Sequence, residues 1–215
     1  MMTAGKEALD PRVRRSRAAL MRAAVELVAQ RGTAAVPVSE IAEAAGVTRP
    51  VIYQHFGDRE SLLLAAVYDL ASRELLPRLA DASKSPTRRA GALALAAHFA
   101  EHRAFYRAVL TSSCAFQMTK SLTELLIPVN QELVHQTFGS DLDAQAELDF
   151  ATFLTGGGAA VVNTWVVEGP EPLDPEQFAD RLMRLAGAAA ALLPPAASPL
   201  IRSESTTTKV QEPQP

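Results

Sequence analysis

The stretch GVTRPVIYQHF, Gly46 to Phe56, decides how the rest of the chain is read. Val47 and Ile52, with Ile41 and Ala45 just before them, supply a shared core for two short helices packed across a tight turn. Ala42 is small where the first helix must approach, and Gly46 follows four residues later, where the chain needs a positive φ that glycine adopts without a Cβ penalty. Thr48 then offers a side-chain oxygen to cap the next helix. Together these features predict helices over Val38 to Ala44 and Arg49 to His55, with a helix-turn-helix as the reading and a plain helical hairpin as its alternative.

The outward residues of the second helix, Arg49, Pro50, Val51, Tyr53, Gln54 and His55, are too varied and too polar for a simple packing surface. Arg49 can bind guanine bidentately through O6 and N7, and Gln54 can do the same for adenine through N6 and N7. Pro50 and Val51 offer apolar contact to a thymine methyl. Tyr53 and His55 suit phosphates, which fix register rather than sequence. For His55 the competing reading is a structural residue bonded to a neighbouring backbone.

Upstream, a helix is expected from Asp10 and Pro11, with Leu20, Ala24, Leu27 and Val28 inward, ending at Gly32. The chain carries a formal net charge of -3, but unevenly. Residues 1–60 hold nine Lys or Arg against seven Asp or Glu, giving +2, and the remainder holds twelve against seventeen, giving -5. The basic excess is densest at Arg12, Arg14, Arg15, Arg17 and Arg22, where the local field is expected to be positive unless this is an ordinary solvated face.

Downstream, apolar spacings of three and four residues continue and no strand is expected. A helix opens at Asp58 and carries Leu62, Leu63, Ala66, Val67, Leu70 and Ala71 toward Pro77. After a loop from Asp81 to Thr87, helices are expected over Arg88 to Glu101, His102 to Leu110, Ala115 to Phe138, Asp141 to Glu168 and Asp174 to Leu193. The expected organisation is an all-α chain: a flexible segment 1–11, a three-helix helix-turn-helix domain 12–57, a helical domain 58–193 and a disordered tail 194–215. A composition 48% hydrophobic, without a secretory segment or an apolar run of bilayer-spanning length, points to a soluble cytoplasmic protein with no membrane partner. Cys114 is the one cysteine, so no disulfide within the chain and no cysteine-rich metal site is expected.

From Arg17 to Leu63 the chain resembles the TetR family of bacterial transcription regulators. The resemblance rests on Gly46-Val47-Thr48, on Tyr53-Gln54-His55-Phe56 and on the Gly57-Asp58-Arg59-Glu60 turn. It implies that Arg49, Pro50, Val51, Tyr53 and His55 face DNA, that Thr48 and Arg59 meet phosphates, and that Arg14 and Arg15 belong to a basic arm that follows the phosphates or enters the minor groove. The sequence departs from the family at Pro37, where a threonine usually caps the second helix, which puts that phosphate contact in doubt.

LTGGGAAVVNTWVVEG and the proline-bounded PLDPEQFADRLMRLAGAAAALL resemble the two helices through which family members pair as a four-helix bundle. Gly156, Gly157, Val161, Leu182, Leu185 and Ala189 are the dimerisation candidates. Three successive glycines, Gly156 to Gly158, cost a helix about 1 kcal/mol each relative to alanine, a cost that a closely approaching partner backbone or a kink beside a cavity would offset. Phe99, His102, Phe105, Cys114, Phe116, Met118, Phe153, Asn163 and Trp165 are candidates for a mostly apolar effector site, with ordinary core as the bland alternative.

The resemblance implies a ligand-responsive regulator, a repressor, that binds a palindromic double-stranded DNA operator as a homodimer and is released by a small molecule. Two alternatives stand beside it: an architectural DNA-binding protein without an effector, and a thiol hydrolase using Cys114 with His98 or His102 as base, for which no orienting third group is evident. No catalytic residue, cofactor or metal site is expected.

Overall fold

A computed structural model of the chain describes residues 10–85 and 87–191. The expectations for a disordered tail and for most of the flexible N-terminal segment lie outside these residues. Among the described residues there is no strand. Ten α-helices follow one another: α1 (Pro11–Arg31), α2 (Val38–Ala44), α3 (Arg49–Phe56), α4 (Arg59–Leu70), α5 (Leu76–Ala82), α6 (Arg89–Glu101), α7 (Arg103–Leu110), α8 (Ala115–Phe138), α9 (Ala144–Glu168) and α10 (Pro175–Ala191). A π turn, Ala71–Leu75, joins α4 to α5, and a 3-10 turn, Gly139–Asp141, follows α8.

Local chemistry explains most helix ends. Asp10 accepts a hydrogen bond from the Arg12 N–H at 2.8 Å ahead of Pro11, and Gly32 ends α1 in the left-handed region at φ 63°. Helix α9 starts at Ala144 rather than Asp141, because Asp143 is the residue whose carboxylate accepts from the Ala146 N–H. The Gln177 N–H donates to Asp174 at 3.0 Å, capping α10.

The buried core runs without a break from Leu20 in α1 to Phe178 in α10. The inward residues expected of α4, Leu62, Leu63, Ala66, Val67, Leu70 and Ala71, are all buried. Helix α1 packs on both α4 and α7, and α4 also meets α8, so the first three helices are tied to the C-terminal half by direct packing. Helix α9 lies between α8, α7, α6 and α10. By length and composition α9 is apolar enough to cross a membrane, which corrects the expectation that no such run exists. Its glycines and threonines hid the apolar average from a search for bulky residues.

Two polar fixtures make testable contributions. Asp58 caps α4 by accepting from the Ser61 N–H at 2.6 Å, and this bond holds its carboxyl below the ordinary value. Replacing Asp58 with alanine is expected to cost about 1 kcal/mol in urea unfolding at pH 7. A carboxyl whose folded pKa lies below its unfolded one adds stability above the unfolded value and loses it as pH falls through the folded one. The gap between wild type and Asp58→Ala therefore narrows below about pH 4.

Arg103 reaches from the start of α7 to the α9–α10 turn, donating to the carbonyl oxygens of Val166, Gly169 and Pro170 at 3.0, 2.6 and 3.0 Å and to the Glu171 carboxylate. Arg103→Met strips a charged donor from two part-buried carbonyls, those of Val166 and Gly169, and is expected to destabilise the fold by about 2 to 3 kcal/mol. Unchanged thermal unfolding would contradict that role.

Candidate nucleic-acid interface

Helix α2 closes with two turn bonds of the Schellman type: the Val47 N–H donates to the Ala42 carbonyl at 2.9 Å and the Gly46 N–H to that of Glu43 at 3.0 Å. This geometry requires the positive φ of 66° at Gly46, where an added Cβ would meet nothing, so conformation rather than space selects the glycine. Ile41, Ala42 and Ile52 are buried beneath the turn. Pro37 stands at the start of α2 without a side-chain cap, so this chain lacks the cap that a threonine would supply there.

Thr48 occupies the N-cap position of α3 in extended conformation, but its side chain caps nothing; its carbonyl accepts from the Val51 N–H at 3.0 Å instead. The expected side-chain cap is corrected accordingly. Pro50 in the first turn presets the helical φ and removes one donor that would otherwise need a partner.

Arg49, Pro50, Tyr53 and Gln54 are exposed together on α3, and Thr48 is exposed at its start. In the free protein the Arg49 guanidinium folds back on Tyr53, donating to its hydroxyl through Nη2 at 2.8 Å and Nε at 3.2 Å. The arginine is therefore held in an ordered position beside the exposed face. Val51 is half-buried and packs on the core, which corrects its expected outward placement.

His55 is half-buried near the end of α3. Its Nε2 lies 2.9 Å from the Ser16 hydroxyl, and Arg17 donates to its carbonyl oxygen. The Arg17 guanidinium sits 4.2 Å over the Phe56 ring, a cation–π contact. Ser16, Arg17, His55 and Phe56 thus clasp the end of α3 to α1, fixing the angle at which the exposed face is presented. The sequence carries no local signal for this clasp, since its partners stand 39 and 38 positions apart.

The expected basic arm is a helical surface: Arg12, Arg14, Arg15 and Arg17 all lie within α1. Arg12, Arg14, Arg15 and Arg22 are exposed, while Arg17 is taken up by the clasp. Arg59 is half-buried at the start of α4, its Nε enclosed without a hydrogen-bond partner.

The effector candidates are not brought together as a cavity lining. Phe99, Phe105, Cys114 and Met118 are buried in the common core, where Tyr106 packs 4.7 Å from Phe99 and 5.5 Å from Phe105 between ring centroids. Phe116 and Phe153 are 73% and 62% exposed, because their helix faces point outward; choosing by residue type alone misplaced them. Trp165 stacks on Phe178 at 3.9 Å and borders an open groove of about 420 Å³ at the α9–α10 junction. Asn163 donates to the Thr119 hydroxyl at 2.9 Å, a tie between α9 and α8 that Asn130 and Thr155 repeat at 2.8 Å. His102 meets Glu74. The hydrolase alternative finds no pairing of Cys114 with a histidine among the described hydrogen bonds.

Of the dimerisation candidates, Gly156, Gly157 and Leu185 are exposed and Ala189 is half-exposed, whereas Val161 and Leu182 pack partly on this chain's own core. A Cβ added at Gly156, Gly157 or Gly158 would meet nothing within 4 Å. Packing inside the chain therefore does not account for the three glycines.

Comparison with known proteins agrees with this architecture. Residues 20–66 match the family described as bacterial regulatory proteins, tetR family, and residues 89–187 match a transcriptional regulator C-terminal region. The chain is 38% identical over 84 residues to the HTH-type transcriptional regulator BetI of Rhizobium meliloti, a match spanning 36% of this chain and 39% of that relative. Among solved structures, a TetR-family regulator from Mesorhizobium loti aligns with a TM-score of 0.61 at 18% identity, over 85% of this chain and 98% of that one. The fatty acid degradation regulator FadR of Bacillus halodurans aligns at 0.57 and 19% identity, over 79% and 96%. The two family matches cover the helix-turn-helix and most of the C-terminal helices, and the chain belongs to the TetR family of transcriptional regulators.

Proposed function

We propose that this regulator is a cytoplasmic repressor that binds a palindromic DNA operator as a homodimer and releases it when a small, mostly apolar effector binds. The observation that carries the DNA reading is the exposed set Arg49, Pro50, Tyr53 and Gln54 on a helix packed on α2 and α4 and tied to α1 by Ser16 and Arg17. Its residue types match base edges and phosphates in the major groove.

The dimer reading draws support from α9 and α10. Phe153, Gly156, Gly157 and Ala160 form an exposed stripe of one large and three small residues along α9, with Leu185 exposed on α10. A partner helix approaching the glycines closely would offset their helix-propensity cost.

For the effector, Phe99, Phe105, Met118 and Trp165 come from four helices, α6 to α9, and their apolar character suits a ligand that parts those helices. Because α7 packs on α1 and α8 on α4, such parting would move the elements that hold α3. Affinity then falls only through a difference in ligand binding between two states. The close packing of these same residues favours the second reading, a DNA-binding protein without an effector. Fluorescence anisotropy of operator DNA, titrated with a panel of neutral apolar and aromatic compounds, separates the two. Release that Met118→Trp abolishes supports the sensor; affinity indifferent to every compound supports the second reading.

A further inference from the structure

At the junction of α4, α5 and α6 lies a polar cluster that DNA recognition does not use. Glu74 sits in the π turn Ala71–Leu75, His98 lies one turn before the end of α6, and His102 stands between α6 and α7. Their ligand atoms all lie within 4.8 Å of one another. His102 Nε2 is 2.8 Å from Glu74 Oε2, a hydrogen bond that opens to roughly 3.3 Å when both atoms ligate one tetrahedral ion. The rings of His98 and His102 are 4.9 Å apart between centroids.

His98 supplies an independent observation. It is fully buried, its Nε2 is 2.8 Å from the Tyr106 hydroxyl, and its Nδ1 is buried with no hydrogen-bond partner. A buried polar atom without a partner is costly and calls for an explanation. When Nε2–H donates to the Tyr106 oxygen, Nδ1 presents a bare lone pair, the arrangement by which an outer hydrogen bond orients a ligating histidine. The surrounding charge also favours a cation. Asp69, Glu74 and Glu101 face two guanidiniums, Arg73 and Arg78, which lie closest to Asp69 at 2.7 Å and Glu101 at 2.8 Å and only 3.9 and 4.0 Å from Glu74, so the five groups together carry one net negative charge.

We propose that Glu74, His98 and His102 bind one first-row divalent transition-metal ion of the zinc class. Two imidazole nitrogens and one carboxylate suit zinc, cobalt or nickel rather than calcium or magnesium, which take oxygen donors. Three protein ligands leave a fourth position for water or a small ligand. His98 ligates through Nδ1, and at His102 and Glu74 the ion replaces the hydrogen bond they share. A π turn within a helix often marks such a site, and here it carries Glu74 to α6. The bound ion ties the end of α4 to the α6–α7 junction.

The test uses the tag-free full-length protein, with zinc as the titrant and cobalt as the spectroscopic probe. The chain has four histidines, His55, His98, His102 and His135. One equivalent of zinc is expected to shift the side-chain NMR signals of His98 and His102 and to leave those of His55 and His135 in place. Cobalt is expected to produce visible absorption at one ion per chain, lost in Glu74→Gln and in His102→Gln and kept in His135→Gln. Tyr106→Phe should weaken binding about tenfold by removing the partner that orients His98. The NMR arm uses the wild-type protein and so stands even where a variant unfolds. Saturating zinc that leaves His98 and His102 unshifted, or shifts only His135, which pairs with Glu147 on the surface, overturns the proposal.

Discussion

Gly157→Leu is expected to convert the protein to a folded monomer whose operator affinity is lower by on the order of 1000-fold, since joined half-sites gain about 10² to 10⁴ over single ones. The argument rests on what this glycine does not touch. A Cβ there meets nothing within 4 Å in the chain, and the residue is exposed. Leucine is the better helix former by close to 1 kcal/mol, so the isolated chain should fold as well or better. Damage can then come only from a partner backbone that needs the space. Size-exclusion chromatography with light scattering, beside thermal unfolding, reads both halves of the expectation. A Gly157→Leu dimer with wild-type affinity would remove the α9–α10 dimer from the account.

Arg49→Ala is expected to flatten discrimination at one base pair of each half-site by about 1 to 3 kcal/mol, roughly five- to 150-fold. The guanidinium is exposed and already ordered on the Tyr53 hydroxyl, so moving to a guanine exchanges one neutral acceptor for two in a desolvated groove. Arg14→Ala provides the contrast. Its exposed side chain on α1 has no part in the α1–α3 clasp, so its loss should weaken every sequence alike and lower the salt slope by about 0.9. Binding curves on matched and single-substituted operators at several salt concentrations separate the two patterns. Equal losses on all sequences for both variants would end the division between base-reading and backbone-holding residues.

The sequence allowed the turn to be read because its determinants are local. Gly46 needs its positive φ within a span of a few residues, and Ile41 and Ile52 are apolar at spacings that serve only one face. The caps Asp10, Asp58 and Asp174 are local in the same sense. The α1–α3 clasp was hidden because Ser16 and Arg17 look like part of a solvated basic face, and only the approach of α3 turns them inward. Thr48 has the right chemistry for a cap, yet its side chain makes no capping hydrogen bond. The π turn at Ala71–Leu75 was invisible because the apolar spacing of α4 runs into it unchanged.

The candidate effector site was legible in composition but not in space. Aromatic residues near the middle of a helical bundle suggest a cavity, yet whether they line one or fill it depends on which way each helix faces. Phe105 fills the core and Phe116 leaves it, although each stands one or two residues into its helix. For the Glu74, His98 and His102 cluster the obstacle was distance in sequence: one member comes from the α4–α5 junction and two from the end of α6.

Selection of bound sequences from random double-stranded DNA by the full-length protein tests the central claim most directly. The account predicts an enriched inverted repeat with half-site centres about 34 to 36 Å apart or a multiple of one helical turn. Enrichment of a specific base should be lost at one symmetric pair of positions in Arg49→Ala. Recovery of no preferred sequence, or of a pattern that Arg49→Ala leaves unchanged, would contradict the assignment of α3 as the element that reads DNA.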